Sequence, residues 1–154
     1  MNWATKHVGS VAMSVEILFS QQPLSEAEHK TVIAGFEQHS QRHDAPPYEL
    51  TPLIWRLTTA SYELAGVLTA KTLWDWMYID ELWVDEKMRG NGYGQALMQQ
   101  AETYAVEHHL SGLWLWTQSW QAEQFYLELG YQEFCRFPNF PKGHERIGLR
   151  KSLD

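Results

Sequence analysis

The chain has 154 residues and a single cysteine, enough length for one α/β domain and too few thiols for a disulfide framework or a cysteine-based zinc knuckle. With 44% hydrophobic and 20% charged residues it is globular, neither disordered nor fibrous. Twelve Lys+Arg against 19 Asp+Glu leave −7, which argues against nucleic acid or an anionic membrane as partner and leaves cationic partners open.

Residues 1–12 show no periodicity and lack the apolar core of a secretory signal. They read as a loose leader before a single domain over 13–154, expected to be cytoplasmic. No stretch approaches the ~18 apolar residues of a membrane span. Ser14 to Ser20 alternates as a first strand. Ser25 and Glu28 form a capping box that opens a helix from about Glu26 to Gln38, with Val32, Ile33 and Phe36 on one face. Pro46 and Pro47 forbid its continuation. Leu53–Thr59 and Glu63–Leu73 read as a hairpin around Ala60-Ser61. A turn through Trp74-Asp75-Trp76 leads to a central strand, Met77–Val84. A polar, glycine-rich loop, Asp85–Gly94, precedes a helix over Gln95–His109 with Leu97, Met98, Ala101, Tyr104 and Ala105 at helical spacing. Leu113–Thr117 is a short strand. Ala122, Phe125, Tyr126 and Leu129 make a second helical stripe that Gly130 stops. Tyr131–Phe137 and Arg146–Lys151 close the fold as two strands. This order, β-α-β-β-β-α-β-α-β-β, predicts a mixed α/β sheet with helices on both faces. The early strands are antiparallel and the β-α-β unit supplies a parallel pair. Cys135, on a predicted strand, reads as an inert packed thiol.

The most informative segment runs from Val84 through Arg89-Gly90-Asn91-Gly92-Tyr93-Gly94 to Leu97. A strand ends, three glycines fall within five residues and a helix begins. Glycine admits positive φ and close approach of a ligand, and a helix N-terminus offers unpaired N–H groups that suit a phosphate. A glycine-rich turn with no ligand fits the same residues. Gly94 is followed by Gln95-Ala96, not Lys-Ser/Thr, so it is not a P-loop. Counted from Gly90 or Gly92, the last position of Gly-x-Gly-x-x-Gly falls on Gln95 or Leu97, so it is not a dinucleotide fingerprint.

Arg89, Gly92 and Gly94 instead match Arg/Gln-x-x-Gly-x-Gly/Ala, and Ala122-Glu123-Gln124-Phe125-Tyr126-Leu127-Glu128-Leu129-Gly130-Tyr131 matches Ala-x-x-Phe-Tyr-x-x-x-Gly-Phe/Tyr. Both resemble the signatures of the GNAT superfamily of N-acetyltransferases, over roughly residues 14 to 152. The segment Pro141-Lys142-Gly143-His144 further resembles a branch with a Pro-Lys-Gly-His turn. The resemblance implies the GNAT fold, with a mostly antiparallel sheet whose parallel pair splays apart. It implies acetyl-CoA as co-substrate, its pyrophosphate on Arg89, Gly90, Asn91, Gly92, Tyr93 and Gly94. Its thioester carbonyl would lie along Leu82, Trp83 and Val84. Many members carry Asn where Ser119 stands; Ser119 is expected to cap the following helix or bond the pantetheine arm.

By stripe position Tyr126 is a core aromatic; the motif makes it the candidate acid for the leaving thiolate. Asp80 and Glu81 are the candidate bases, expected on opposite faces by strand alternation. Asp80 is placed first, because it lies four residues before Val84, where some aminoglycoside-type members carry an acid. Asp75 to Glu86 holds five acids and no Lys or Arg, with Trp76, Tyr78 and Trp83 among them. A core strand flanked by solvated acids fits this as well as a site for a cationic amine drawn by charge and cation–π attraction does. Trp76, Tyr78, Trp116 and His144 are the candidate acceptor-binding residues. Of the eight tryptophans, Trp74, Trp76, Trp83, Trp114, Trp116 and Trp120 are expected around one cleft. His39, His43 and His144 fix no metal geometry, so no metal is expected. The expected reaction is acetyl transfer from acetyl-CoA to a primary amine, a small cationic molecule, by direct attack in a ternary complex; a homodimer is compatible with it. A non-catalytic acyl-CoA-binding module and a protein N-acetyltransferase are the alternatives.

Overall fold

The structure is a computed structural model that describes residues 16–61 and 63–153. The chain falls into two compact units, residues 1–43 and 44–154. The expected leader over residues 1–12 lies outside the described residues.

In the first unit, helix α1 spans Glu26–Gln41. The Ser25 N–H donates to Glu28 Oε2 at 2.7 Å and the Glu28 N–H donates to Ser25 Oγ at 3.3 Å, so two otherwise unpaired helix-end donors are satisfied reciprocally. The Ser25 hydroxyl also donates to Glu28 Oε2, and this bond, with that from the Ser25 N–H, lowers the Glu28 carboxyl below its ordinary value. The helix runs three residues past the expected Gln38 because nothing breaks it before Asp44 enters the left-handed region at φ 52°. The strand expected over Ser14–Ser20 is corrected. Glu16–Ser20 form no strand, and Ser14 and Val15 lie outside the described residues. Ile17, Leu18 and Phe19 are all exposed, so the alternation has no covered face behind it.

The second unit is a six-stranded sheet in the order β1-β2-β3-β4-β6-β5. Its strands are β1 Leu50–Thr58, β2 Leu64–Leu73, β3 Trp76–Val84, β4 Gly112–Gln118, β5 Gln132–Pro138 and β6 Glu145–Ser152. All neighbours are antiparallel except β3 and β4, which run parallel. Trp76 was expected in the β2–β3 turn but is the first residue of β3. The turn is made by Trp74, at φ 55°, and Asp75. Asp75 also accepts from the Ser111 N–H at 2.7 Å and the Ser111 hydroxyl at 2.6 Å. One of the five acids is thereby spent on holding the start of β4 in place.

Helix α2, Tyr93–Glu107, lays Leu97, Met98, Ala101 and Ala105 against Leu68, Ile79, Leu113, Leu115, Ile147 and Leu149 of the sheet. This is the stripe that 3.6-residue periodicity predicts. Helix α3, Glu123–Glu128, adds Tyr126 to the same cluster. A Cβ on Gly94 would lie 3.5 Å from the Phe125 ring, so α3 sits beside the start of α2 on the same sheet face. Strand β5 is at the sheet edge and all its residues are exposed. Cys135 is therefore an exposed thiol and not the packed one expected, because an edge strand has no neighbour on its outer side. Among the described residues no helix is long and apolar enough to cross a membrane.

Candidate active site

The parallel ladder between β3 and β4 has only four rungs, from Trp76–Gly112 to Ile79–Leu115. Both strands continue, β3 to Val84 and β4 to Gln118, without pairing to each other. They part where a bulge sits in the β2–β3 ladder. Thr69 pairs with Glu81 and Ala70 with Ile79, leaving Asp80 as the extra residue. Bulges bend and twist the strand that carries them, and this one turns β3 away from β4. The opening is a cleft of about 840 Å³. One wall is Ile79 to Val84 and the other is Leu115 to Thr117; Val67 lies beneath, and Gln121, Ala122 and Tyr126 close the α3 side.

The bulge also corrects the expected placing of the carboxylates on opposite faces. Asp80 Oδ1 accepts from Lys71 Nζ at 3.0 Å, and Glu81 Oε2 accepts from the Thr69 hydroxyl at 3.1 Å. Lys71 and Thr69 are two apart on β2, so both acids reach the same sheet face. Strand alternation fails here because one residue is extra. The hydrogen bond it donates to Asp80 raises the Lys71 amine above its ordinary value. The two acids also differ in what they meet. Asp80 is paired with the Lys71 ammonium, whereas among the described residues Glu81 accepts only from a hydroxyl. Asp85, a further acid of the segment, accepts from the Lys87 N–H at 2.9 Å and caps a single 3-10 turn, Glu86–Met88.

The glycine loop is built around two left-handed residues, Gly90 at φ 77° and Gly92 at φ 79°. A Cβ at either would point into open space. Asn91 Nδ2 donates to the Met88 and Arg89 carbonyls at 3.0 and 3.1 Å, so its side chain holds the loop. Arg89 Nε donates to the Val84 carbonyl at 3.0 Å, tying the guanidinium to the end of β3 at the cleft. Gly92 caps α2 with no side-chain hydrogen bond. The first intrahelical bond is Ala96 N–H to the Gly92 carbonyl at 2.9 Å. The N–H groups of Tyr93, Gly94 and Gln95 therefore have no helical acceptor. Open space, free N–H groups, the helix dipole and a pinned arginine fit an anion of pyrophosphate kind.

Tyr126 is 8% exposed and lines the cleft. Burial alone pushes its phenol up to about 12. Tyr131, 2% exposed, moves further the same way through burial and then the Glu102 carboxylate. A phenol whose folded value is raised stabilises the fold fully below the unfolded value near 10. That contribution is lost as pH rises through 12, which for Tyr126 amounts to about 3 kcal/mol. Of the seven tyrosines, Tyr126 and Tyr131 should ionise only as the fold is lost. Tyrosinate absorbance followed beside circular dichroism from neutral to strongly alkaline pH checks this. Full ionisation of all seven near pH 10 with the fold intact would contradict it.

The remaining expected residues divide. Trp83 and Trp116 line the cleft, as do Leu82 and Val84. Trp76 and Tyr78 do not, because they lie at the paired end of the β3–β4 ladder. The Tyr78 ring packs on Trp114 at 4.4 Å with Lys71 Nζ 5.0 Å above it. His144 lies edge-on to Trp120 at 4.7 Å. Trp74 Nε1 donates to the Pro47 carbonyl at 3.0 Å. The aromatic excess thus mostly braces the sheet and its loops. Ser119 caps no helix. Its N–H donates to the Glu145 carbonyl at 2.9 Å and its hydroxyl accepts from the Glu145 N–H at 3.2 Å, joining β4 to β6. Gln121 takes a place in the cleft that sequence reasoning missed. Its Oε1 accepts from the Gln118 N–H at 3.0 Å and the Thr117 hydroxyl at 3.3 Å, which leaves its amide N–H groups for a ligand. A polar residue in the turn between a strand and a helix gives no warning of this. Among the described residues, no group of three or more His, Cys, Asp or Glu side chains is arranged to hold a metal.

The model of the acetyltransferase (GNAT) family matches residues 14–131. A blasticidin-S acetyltransferase of Streptomyces morookaense is 39% identical over 92 residues, which is 59% of this chain and 68% of that protein. A crystal structure of an acetyltransferase from Bacillus cereus ATCC 14579 superposes with a TM-score of 0.75 at 24% identity, covering 88% of this chain and 98% of that one. A protein described as a streptothricin acetyltransferase from Bacillus anthracis str. Ames, solved in complex with acetyl coenzyme A, gives a TM-score of 0.61 at 24% identity over 71% of this chain and 65% of that one.

Proposed function

Because the chain belongs to the acetyltransferase (GNAT) family and is an acetyl-CoA-dependent N-acetyltransferase, we propose that it acetylates a primary amine of a small cationic molecule by direct attack in the cleft. The observation that carries this reading is the four-rung ladder, whose end opens a cleft lined by Glu81 on the β3 wall and by Tyr126 at the α3 side. Bound acetyl-CoA supplies the thioester whose carbonyl the amine attacks. Arg89, the glycine loop and the free N–H groups of α2 would hold its pyrophosphate. The backbone of Leu82 to Val84, unpaired toward β4, would donate to the carbonyl oxygen as it gathers charge. Glu81 attracts the cationic acceptor and takes the proton that its nitrogen must lose to become a nucleophile. As the C–N bond forms and the C–S bond breaks, Tyr126 donates to the departing sulfur. The names of two relatives, a blasticidin-S and a streptothricin acetyltransferase, support a small-molecule acceptor over a protein.

The test is thiol release from acetyl-CoA across amines matched in size but differing in charge. Cationic amines should exceed neutral ones by about tenfold or more in kcat/KM, as expected for a charge-assisted contact. Equal or better turnover of neutral or acidic amines would overturn the cationic acceptor.

A further inference from the structure

The sheet face that carries Asp80 and Glu81 also carries Arg146, a cation with no ion-pair partner among the described residues. In the β4–β6 register Gln118 lies opposite Arg146, so Arg146 shares a side with Trp116 and Trp114. Trp114 contacts Tyr78, which pairs in register with Lys71, the partner of Asp80. Arg146 on β6 and the two acids on β3 therefore face the same way, with β4 between them.

The Arg146 guanidinium carbon lies 4.9 Å from the Trp116 ring centre and 5.4 Å from that of Phe140. Phe140 is held there by its loop. With its amide turned so that nitrogen faces them, Gln118 donates to the Phe140 and Glu145 carbonyls at 3.0 Å each. The Phe140 N–H donates to the His144 carbonyl at 3.1 Å, and a turn closes from the His144 N–H to the Pro141 carbonyl at 2.9 Å. Among the described residues Arg146 has no ion pair, and its Nε is buried without a hydrogen-bond partner. Its neighbour Arg136, by contrast, is paired with Glu123, Glu133 and Glu145. A guanidinium fixed between two rings with its donors unspent is set up for a planar, two-oxygen anion, and Trp116 places it at the cleft rim.

We propose that Arg146 is the carboxylate-binding half of the acceptor site, so that the acceptor is a small amine that also carries a carboxylate. This rests on the amine reading above and refines it: the ammonium end faces Glu81 and the carboxylate end faces Arg146. The phosphate loop lies on the α2 side, so Arg146 acts on the acceptor and not on acetyl-CoA.

The experiment measures thiol release from acetyl-CoA with L-lysine and L-ornithine, each beside its methyl ester, so that acid and ester both remain cationic. Wild-type protein should prefer each acid that it accepts to its ester by about tenfold or more in kcat/KM. In Arg146→Met and Arg146→Lys the ratio should collapse to within about twofold of unity, since lysine lacks the planar fork. Melting temperatures establish that each variant is folded; if Arg146→Met is not, Arg146→Lys decides. A wild-type ratio near one overturns the inference and leaves the amine reading standing. So does an equal loss for acid and ester in the variants, or a change confined to KM for acetyl-CoA. Failure of every acid and ester contradicts the amine reading itself and removes the inference with it.

Discussion

Replacing Tyr126 by Phe lowers kcat by about a hundredfold, at the low end of what a positioned proton donor contributes, and leaves KM for acetyl-CoA within about twofold. The ring is part of the core, packing on Phe125 at 5.0 Å and Tyr131 at 6.0 Å. Phe keeps that packing and removes only the hydroxyl, so the melting temperature should move little. Burial holds the phenol at about 12, well above the ordinary thiol value of about 8.5. Complete transfer of its proton to a thiolate is uphill unless the proton lost by the amine arrives in the same step. Tyr126 is therefore best described as donating a hydrogen bond that strengthens as sulfur gains charge. Unchanged kcat with every accepted amine would remove it from the mechanism.

Replacing Gly92 by Val raises KM for acetyl-CoA by more than about tenfold. Gly92 sits at φ 79° with open space where a Cβ would go, and it is the residue that caps α2, just before the unpaired N–H groups. A β-branched residue resists this backbone region at a cost of about 1–2 kcal/mol, small beside a typical total stability of about 5–15 kcal/mol. The fold should survive while the side chain blocks the approach of a phosphate. Steady-state kinetics with acetyl-CoA varied, beside a melting curve, separate the two effects. An unchanged KM would show that the phosphate does not use this loop.

The parts legible from sequence are those set by local pattern. Leu97, Met98, Ala101 and Ala105 announce α2, Ser25 and Glu28 announce the start of α1, and Arg89, Gly92 and Gly94 mark the loop. What stayed hidden depends on partners far along the chain. Asp80 looks like any strand residue until pairing with β2 leaves it as the bulge, and its ammonium partner Lys71 is nine residues away. That shift places both acids on one face and makes Glu81 the freer of the two. Trp76 and Tyr78 share a strand with the cleft, but no local pattern says where the β3–β4 ladder stops. Cys135 alternates like a core residue, and only the strand order reveals an edge. Arg146 stands beside Glu145 in sequence, yet Glu145 pairs with Arg136 and leaves Arg146 alone.

The central claim is that amine and thioester meet directly in the cleft. Initial rates with acetyl-CoA and an accepted amine both varied test it. Direct transfer predicts double-reciprocal lines that intersect, and a protein mass unchanged after exposure to acetyl-CoA alone. Parallel lines, with an acetyl group retained on the protein at the exposed Cys135 or any other side chain, would contradict it.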